Sequence, residues 1–128
     1  MIAADSSSFI AHLSGAQGED VEILDQALSD YLVVLPPVVL VEFLSDWTLP
    51  SPVSDLLKAL PLLEPTNGYW QRAGTLRAKA LSRGRKARLA DTLIAQSCLD
   101  HHVPLISRDR DFRVFANFAG LKVLPPNQ

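Results

Sequence analysis

The chain has 128 residues, of which 48% are hydrophobic and 20% charged, and its formal net charge is −2. This composition predicts one globular domain, residues 1–128, and excludes a disordered chain. The single cysteine excludes an internal disulfide, and no apolar run reaches the roughly 20 residues of a membrane span. The first residues lack the pattern of a secretory signal, so we expect a cytoplasmic protein without membrane contact.

Strand patterns and helix patterns alternate along the chain. Short apolar runs predict strands at 2–4, 31–35, 103–107 and 121–124, with a weaker strand at 60–65 that contains two prolines. Apolar residues at helical spacing predict helices at 9–13, 19–29, 53–60, 67–82, 91–101 and 111–118, and one that opens at Pro37 or Val38. This order favours an α/β fold, in which helices cover both faces of a parallel sheet of four or five strands.

Acidic residues follow the predicted strands or begin the next helix. Asp5 follows the first strand, Glu42 lies about one turn into the helix after the second, and Asp91 lies in the first turn of the 91–101 helix. Asp109 follows the 103–107 strand, and Asp111 is two residues further on. In an open parallel sheet the carboxyl ends of the strands face one crevice, so we expect these carboxylates to converge there.

Clustered carboxylates are a pattern typical of a metal site. They would raise each other's pKa unless a divalent cation offset their charge, and oxygen ligands without a placed Cys or His favour Mg²⁺ or Mn²⁺. Such a site hydrolyses phosphodiesters by activating water and neutralising the phosphate. Asp5 and Asp91 could instead cap helices, and Asp109 or Asp111 could close an Asx turn. Capping does not explain Glu42, which stands among apolar neighbours.

Four segments around these acids resemble the motifs of the PIN-domain family, and in particular those of VapC-type toxins of bacterial toxin–antitoxin pairs. The segments are Asp5-Ser-Ser-Ser-Phe-Ile, Val41-Glu42-Phe-Leu, Ala90-Asp91-Thr-Leu-Ile-Ala and Ser107-Arg-Asp109-Arg-Asp111-Phe112. They occur in the family's order and together span most of the chain. Four motifs in order are far more specific than any one of them.

The resemblance implies a PIN-like α/β/α sandwich and a metal-dependent endoribonuclease, inhibited by a cognate antitoxin and commonly a homodimer. It maps Asp5, Glu42, Asp91 and Asp109 to the catalytic acids, with Asp5, Asp91 and Asp109 as ligands of Mg²⁺ or Mn²⁺. Ser7 and Ser107 match the supporting hydroxyls of the first and fourth motifs. Asp111 competes with Asp109 for the fourth acidic position.

Two surface patterns suggest partners. A basic strip, defined here as Arg83, Arg85, Lys86 and Arg88, precedes Asp91 and could bind RNA phosphates, although such strips are also ordinary solvated faces. The apolar faces of the helices at 9–13, 21–28 and 40–44 exceed what one small sheet must bury. We expect part of this apolar surface to bind the antitoxin.

Two other functions are compatible with an acidic cluster. A receiver-like phosphoacceptor domain also binds Mg²⁺ through Asp residues, but it needs a Lys after a late strand, where this chain has Ser107-Arg108. A PIN-like module that has lost catalysis would only bind its partner, and the complete set of four acids argues against it.

Overall fold

A computed structural model describes residues 1–126 of the chain. Within that range four short strands form one parallel sheet: β1 (Ile2–Ala4), β2 (Val33–Val34), β3 (Leu105–Ile106) and β4 (Val123–Leu124). The order of the strands in the sheet is β2-β1-β3-β4. The predicted parallel sheet is therefore confirmed, and the first strand of the chain lies in its middle, next to a strand from the last quarter.

Helices fill most of the rest of the described chain. They are α1 (Ser6–Leu13), α2 (Glu19–Ser29), α3 (Pro37–Leu44), α4 (Ser51–Ala59), α5 (Tyr69–Ser82), α6 (Leu89–His101) and α7 (Arg113–Ala119), and a 3₁₀ turn, Arg110–Phe112, precedes α7. None of these helices combines the length and the apolar character that crossing a bilayer requires.

The two central strands lie in the core. Ala3 and Ala4 of β1 and Leu105 and Ile106 of β3 have no exposed surface. Strands buried on both faces read as continuous apolar runs, which explains why these segments show no alternation of polar and apolar residues. Polar groups at the carboxyl ends of β1 and β3 are therefore attached to strand residues that are fully buried in the core.

Two segments differ from the sequence prediction because of their prolines. The weak strand predicted at 60–65 is reduced to one parallel bridge, between Leu62 and Leu35. Its two prolines have no N–H to donate, so the segment does not extend the ladder. Pro52 lies inside a helix rather than before one. Helix α4 starts at Ser51 and has this proline in its first turn, where a backbone N–H has no helical partner in any case.

The strand register brings an early and a late segment of the chain together at the carboxyl ends of the two central strands. Ala4 of β1 is paired with Ile106 of β3, so Asp5 and Ser107 follow neighbouring strands side by side. Glu42 lies on α3, which follows β2, and Asp91 lies in the first turn of α6. The register thus places Asp5 beside Ser107, while α3 and α6 carry Glu42 and Asp91.

Candidate metal centre

Asp5 is the N-cap of α1 and is only 3% exposed. Its carboxylate accepts hydrogen bonds from Ser7 Oγ at 2.8 and 2.9 Å, from Ser107 Oγ at 2.6 Å and from the Ser8 N–H at 3.1 Å. Burial raises the pKa of Asp5, these hydrogen bonds lower it in part, and the nearby charge of Asp109 raises it further. The net shift is upward, so a negative charge at this position is costly without a cation.

Ser107 connects Asp5 to the loop that carries the later acids. Its hydroxyl donates to Asp5 Oδ2 and accepts the N–H of Asp109 at 3.0 Å. Asp109 Oδ1 in turn accepts the N–H of Asp111 at 2.9 Å, which is the Asx turn that the sequence allowed. The predicted hydroxyls of Ser7 and Ser107 thus both contact Asp5, and one chain of hydrogen bonds runs from β1 to the acids after β3.

Asp91, Asp109 and Asp111 form a group of acids. Each offers one carboxylate oxygen, and these three oxygens lie within 4.8 Å of one another. All three side chains are half-buried. Asp5 and Glu42 are not part of this group, whereas Asp111, predicted only as a supporting residue and a competitor of Asp109, belongs to it. The proximity of Asp111 follows from the 3₁₀ turn after Asp109, which folds the loop back on itself.

The Asp91 carboxylate is the group most disturbed by this arrangement. Its Oδ2 atom is buried and has no hydrogen-bond partner among residues 1–126. The pKa of Asp91 is raised to about 6, first by burial and then by the charges of Asp109, Asp111 and Asp5, while the charge of Arg88 opposes the rise. An unsatisfied buried oxygen beside two other carboxylates fits a hard divalent cation, which prefers such ligands.

Asp111 also pairs with two members of the basic strip. Its Oδ2 atom lies 3.1 Å from Lys86 Nζ and 3.8 Å from Arg88 Nη2. The other two members of the strip are arranged differently, since the guanidinium groups of Arg83 and Arg85 lie 4.9 and 5.6 Å from the ring centroid of Phe118. Half of the basic strip therefore offsets an acid of the candidate site.

Glu42 stands apart from the three-acid group but close to Asp5. The residue is exposed on α3, yet partial burial of its carboxylate raises the pKa of Glu42, the Ser6 hydroxyl lowers it, and the charge of Asp5 raises it again. The net direction is upward. Glu42 is thus electrostatically coupled to Asp5, as expected if both acids line one pocket.

An ion pair that was not predicted from the sequence joins α2 to the loop after β3, which carries two acids of the site. Asp20, only 5% exposed, accepts hydrogen bonds from Arg108 Nε at 2.8 Å, Arg108 Nη2 at 3.0 Å and Ser8 Oγ at 2.9 Å. Burial alone would raise the pKa of Asp20, but the bonds from Arg108 and Ser8 outweigh it and hold that pKa below its usual range. In the sequence this acid looks like an ordinary first-turn residue of an amphipathic helix.

Replacing Ser107 tests the hydrogen-bonded chain. We expect Ser107→Ala to raise the pKa of Asp5 further, to lower the free energy of unfolding by about 1–2 kcal/mol, and to weaken Mn²⁺ binding about tenfold. Urea unfolding and calorimetric Mn²⁺ titration measure these changes. Ser82→Ala is the matched control, because within residues 1–126 the Ser82 hydroxyl bonds only to an exposed carbonyl, that of Lys79. Unchanged Mn²⁺ affinity in Ser107→Ala would contradict the supporting role.

The fold and the acids together define an α/β domain with a candidate cation site at the carboxyl edge of its sheet. The PIN domain family model matches residues 2–117. The chain therefore belongs to the PIN domain family, which confirms the family that the four motifs resemble. A search of curated proteins finds none that matches the sequence significantly.

Several solved structures share the whole fold. A chain of VapBC2 from Rickettsia felis, bound to a promoter DNA fragment, is 15% identical with a TM-score of 0.75, and the match covers 96% of this chain and 97% of that one. A chain of VapBC-1 from nontypeable Haemophilus influenzae is 17% identical with a TM-score of 0.74, covering 96% of each chain. A chain of a toxin–antitoxin complex from Klebsiella pneumoniae is 17% identical with a TM-score of 0.70, covering 100% and 99%. The predicted PIN-like α/β/α sandwich is thereby confirmed.

Proposed function

We propose that this protein is a VapC-type toxin, a Mg²⁺- or Mn²⁺-dependent endoribonuclease that a cognate antitoxin neutralises. The observation that carries the nuclease proposal is the three-acid group of Asp91, Asp109 and Asp111, with one buried Asp91 oxygen left without a partner among the described residues. Membership of the PIN domain family and the likeness to chains of VapBC complexes support the same reading. The family match removes the receiver-like alternative.

Asp91, Asp109 and Asp111 would hold the cation, with Asp5 as a further acid of the site. When bound, a divalent cation neutralises charge on the scissile phosphate and lowers the pKa of the attacking water. The hydrogen bonds that Ser7, Ser8 and Ser107 donate to Asp5 fix the carboxylates before RNA arrives, so little reorganisation accompanies the reaction.

Glu42 would take the part of a proton acceptor. A general base works best when its pKa lies near the working pH, and the pKa of Glu42 is raised by burial and by the charge of Asp5. Exposure on α3 leaves its carboxylate open to water and to a substrate. We therefore propose that Glu42 is a catalytic residue, acting as the general base, together with Asp5, Asp91 and Asp109.

Incubation with RNA tests the activity itself. Antitoxin-free protein is mixed with total RNA in the presence of Mg²⁺ or Mn²⁺, with and without EDTA, and the products are separated on a denaturing gel. We expect discrete cleavage that EDTA abolishes. Cleavage that survives EDTA would overturn the metal-dependent mechanism, and binding of RNA without cleavage would identify a catalytically inactive PIN module.

Metal binding is expected to depend on pH through Asp91. Because the pKa of Asp91 is about 6 in the metal-free protein, protons compete with the cation below that pH. We expect the Mn²⁺ dissociation constant to increase about tenfold per pH unit below about 6 and to be nearly constant above about 7. Calorimetric titration between pH 5 and 8 measures this, and a flat profile would contradict the assignment of Asp91 as a ligand.

An apolar groove beside Glu42 supports an antitoxin partner. This groove, between α1, α3 and α4, has a volume of about 490 Å³ and an apolar lining that includes Ile10, Leu13, Phe43, Leu49 and Val53. Ile10 is 57% and Leu13 is 41% exposed. The face of α2 that the sequence also offered is largely taken up internally, since Leu24 is buried and Ile23 and Leu28 pack against the core.

We propose that an apolar segment of the antitoxin occupies this groove. When the tagged protein is purified from its native host, a small partner should copurify with it. The double variant Ile10→Ser with Leu13→Ser should not retain this partner. Leu81→Ser on α5 is the matched control, because Leu81 is comparably exposed at 48% and lies outside the groove. Loss of the partner from the control alone, or equal retention by both variants, would overturn the proposal.

We also propose that the protein is a homodimer, as its resemblance to VapC-type toxins implies. Light scattering on the antitoxin-free protein should give twice the chain mass of 14.0 kDa. A mass of one chain at all concentrations tested would overturn this part of the proposal.

A further inference from the structure

An open groove begins at the candidate site and runs along α7. Its volume is about 390 Å³, and it lies between the residues that follow β3, the end of β4 and the exposed face of α7. Ser107 and Asp109 line it at the end nearest the acids. Beyond them, the polar side chains that line it are those of Arg108, Arg110, Arg113 and Asn117. No member of the basic strip lines this groove.

The two arginines at its wall are free to bind a ligand. Arg110 and Arg113 are exposed, and neither guanidinium forms a hydrogen bond or an ion pair with any residue in the range 1–126. The cations nearby are already engaged: Arg108 pairs with Asp20, and Lys86 and Arg88 pair with Asp111. Arg110 and Arg113 are therefore the uncommitted positive charges closest in the chain to Asp109.

A phosphodiester chain matches this arrangement. Guanidinium groups present several N–H donors in a planar fork that suits phosphate oxygens, and an RNA strand with one phosphate at the acids carries its next phosphates along the adjoining surface. A groove that starts at Asp109 and continues past two unpaired arginines provides such a surface. An acidic protein segment has carboxylates too, but it gives no reason for the groove to open onto the acids.

We propose that this groove binds the RNA strand next to the scissile bond, with Arg110 and Arg113 contacting its phosphate groups. The inference rests on the proposed ribonuclease function and adds the path of the substrate. It also assigns the main RNA contacts to residues other than the basic strip, of which Lys86 and Arg88 offset the charge of Asp111 and Arg83 and Arg85 lie over Phe118.

Two double variants with the same change of charge test the proposal. The groove variant is Arg110→Gln with Arg113→Gln, and the strip control is Arg83→Gln with Arg85→Gln. Fluorescence anisotropy measures the binding of a labelled single-stranded RNA at several salt concentrations in EDTA, so that the RNA stays intact. We expect the groove variant to bind at least about tenfold more weakly, with a log–log salt slope smaller by about 1.4 for two lost phosphate contacts. The strip control should bind as the wild type does.

A cleavage assay with Mn²⁺ separates this inference from the proposed function. The groove variant should show a raised KM with kcat close to that of the wild type, and its thermal midpoint should be unchanged because both side chains are exposed. If the wild type cleaves RNA but the groove variant binds it equally well, the groove assignment fails and the nuclease proposal stands. If the wild type neither binds nor cleaves RNA, both fail. Polyglutamate serves as a probe for an acidic protein segment. If the groove variant no longer binds polyglutamate but still binds RNA, the groove is assigned to an acidic protein segment and the inference is overturned.

Discussion

Asp91→Asn is expected to lower RNA cleavage more than about 100-fold and, at the same time, to make the metal-free protein more stable. The loss of activity follows from the loss of one of the three carboxylates that would hold the cation. The gain in stability follows from the removal of a half-buried charge that Arg88 offsets only in part, and whose Oδ2 atom has no hydrogen-bond partner among the described residues. A purely structural role for Asp91 would give the opposite sign for stability.

The pH dependence of that stability has a definite direction. The folded state binds the Asp91 proton more tightly than the unfolded chain does, because the pKa rises from 3.8 to about 6. The free energy of unfolding of the metal-free wild type therefore falls as pH increases from about 4 to about 6, by an amount on the order of 1–3 kcal/mol. Asp91→Asn should lack this fall. Excess Mn²⁺ should stabilise the wild type at pH 7 and leave the variant unchanged.

Asp100→Asn supplies a matched control in the same helix. Asp100 accepts hydrogen bonds from Arg72 Nη2 at 2.7 Å and Nε at 2.9 Å, and this partner holds the pKa of Asp100 below its usual range. The same chemical change should here lower stability and leave cleavage intact. Urea unfolding in EDTA and in Mn²⁺, together with the cleavage rate, covers all these readouts. An Asp91→Asn protein that is less stable than the wild type in EDTA would refute the argument.

Arg108→Met is expected to lower the free energy of unfolding by about 2–4 kcal/mol. The substitution keeps an apolar stem but removes three hydrogen bonds, two to Asp20 and one to the carbonyl of Gln17. The Asp20 carboxylate then stays buried with the Ser8 hydroxyl as its main remaining side-chain donor. Leaving the buried Asp20 carboxylate without its exposed partner Arg108 costs more than the ion pair itself contributes.

Acid sensitivity distinguishes this effect from a loss of packing. In the wild type the lowered pKa of Asp20 contributes stability that is present above the usual pKa of 3.8 and is lost as pH falls through the folded value. Arg108→Met should lack this contribution, so its deficit relative to the wild type should shrink at low pH.

Arg110→Met is the control for the Arg108 substitution, because Arg110 lies two residues further on and is exposed. We expect it to change stability by less than about 0.5 kcal/mol. Asp20→Asn combined with Arg108→Met should recover part of the loss, since no buried charge then remains. A difference of less than about 0.5 kcal/mol between Arg108→Met and the wild type would show that Asp20 is not held in this way.

The candidate site could be predicted from the sequence to the extent that backbone topology determines it. Asp5, Asp91 and Asp109 follow strand ends or begin a helix, and a parallel sheet gathers such positions at one edge. Asp111 was harder to place, because its nearness to Asp91 depends on the 3₁₀ turn and on the hydrogen bond that its N–H donates to Asp109 Oδ1. The sequence allows an Asx turn at Asp109, but its spacing does not show that this turn brings Asp111 beside Asp91.

The ion pair of Asp20 with Arg108 lay beyond sequence reasoning for a different reason. The two residues are 88 positions apart, and each reads as an ordinary surface charge in its own segment. Their pairing depends on how α2 packs against the loop after β3. The end of the basic strip was ambiguous in the same way, since Lys86 and Arg88 are matched with Asp111 through tertiary contact alone.

The hydrogen bond from Ser107 to Asp5 joins residues 102 positions apart. During synthesis on the ribosome, the partner that holds Asp5 is made only after most of the domain has been translated, and a contact of such high contact order forms late. A growing polypeptide that ends before Ser107 therefore lacks this hydrogen bond and two acids of the candidate site, Asp109 and Asp111. If the protein cuts RNA as proposed, we expect an incomplete chain on the ribosome not to cleave the message that encodes it.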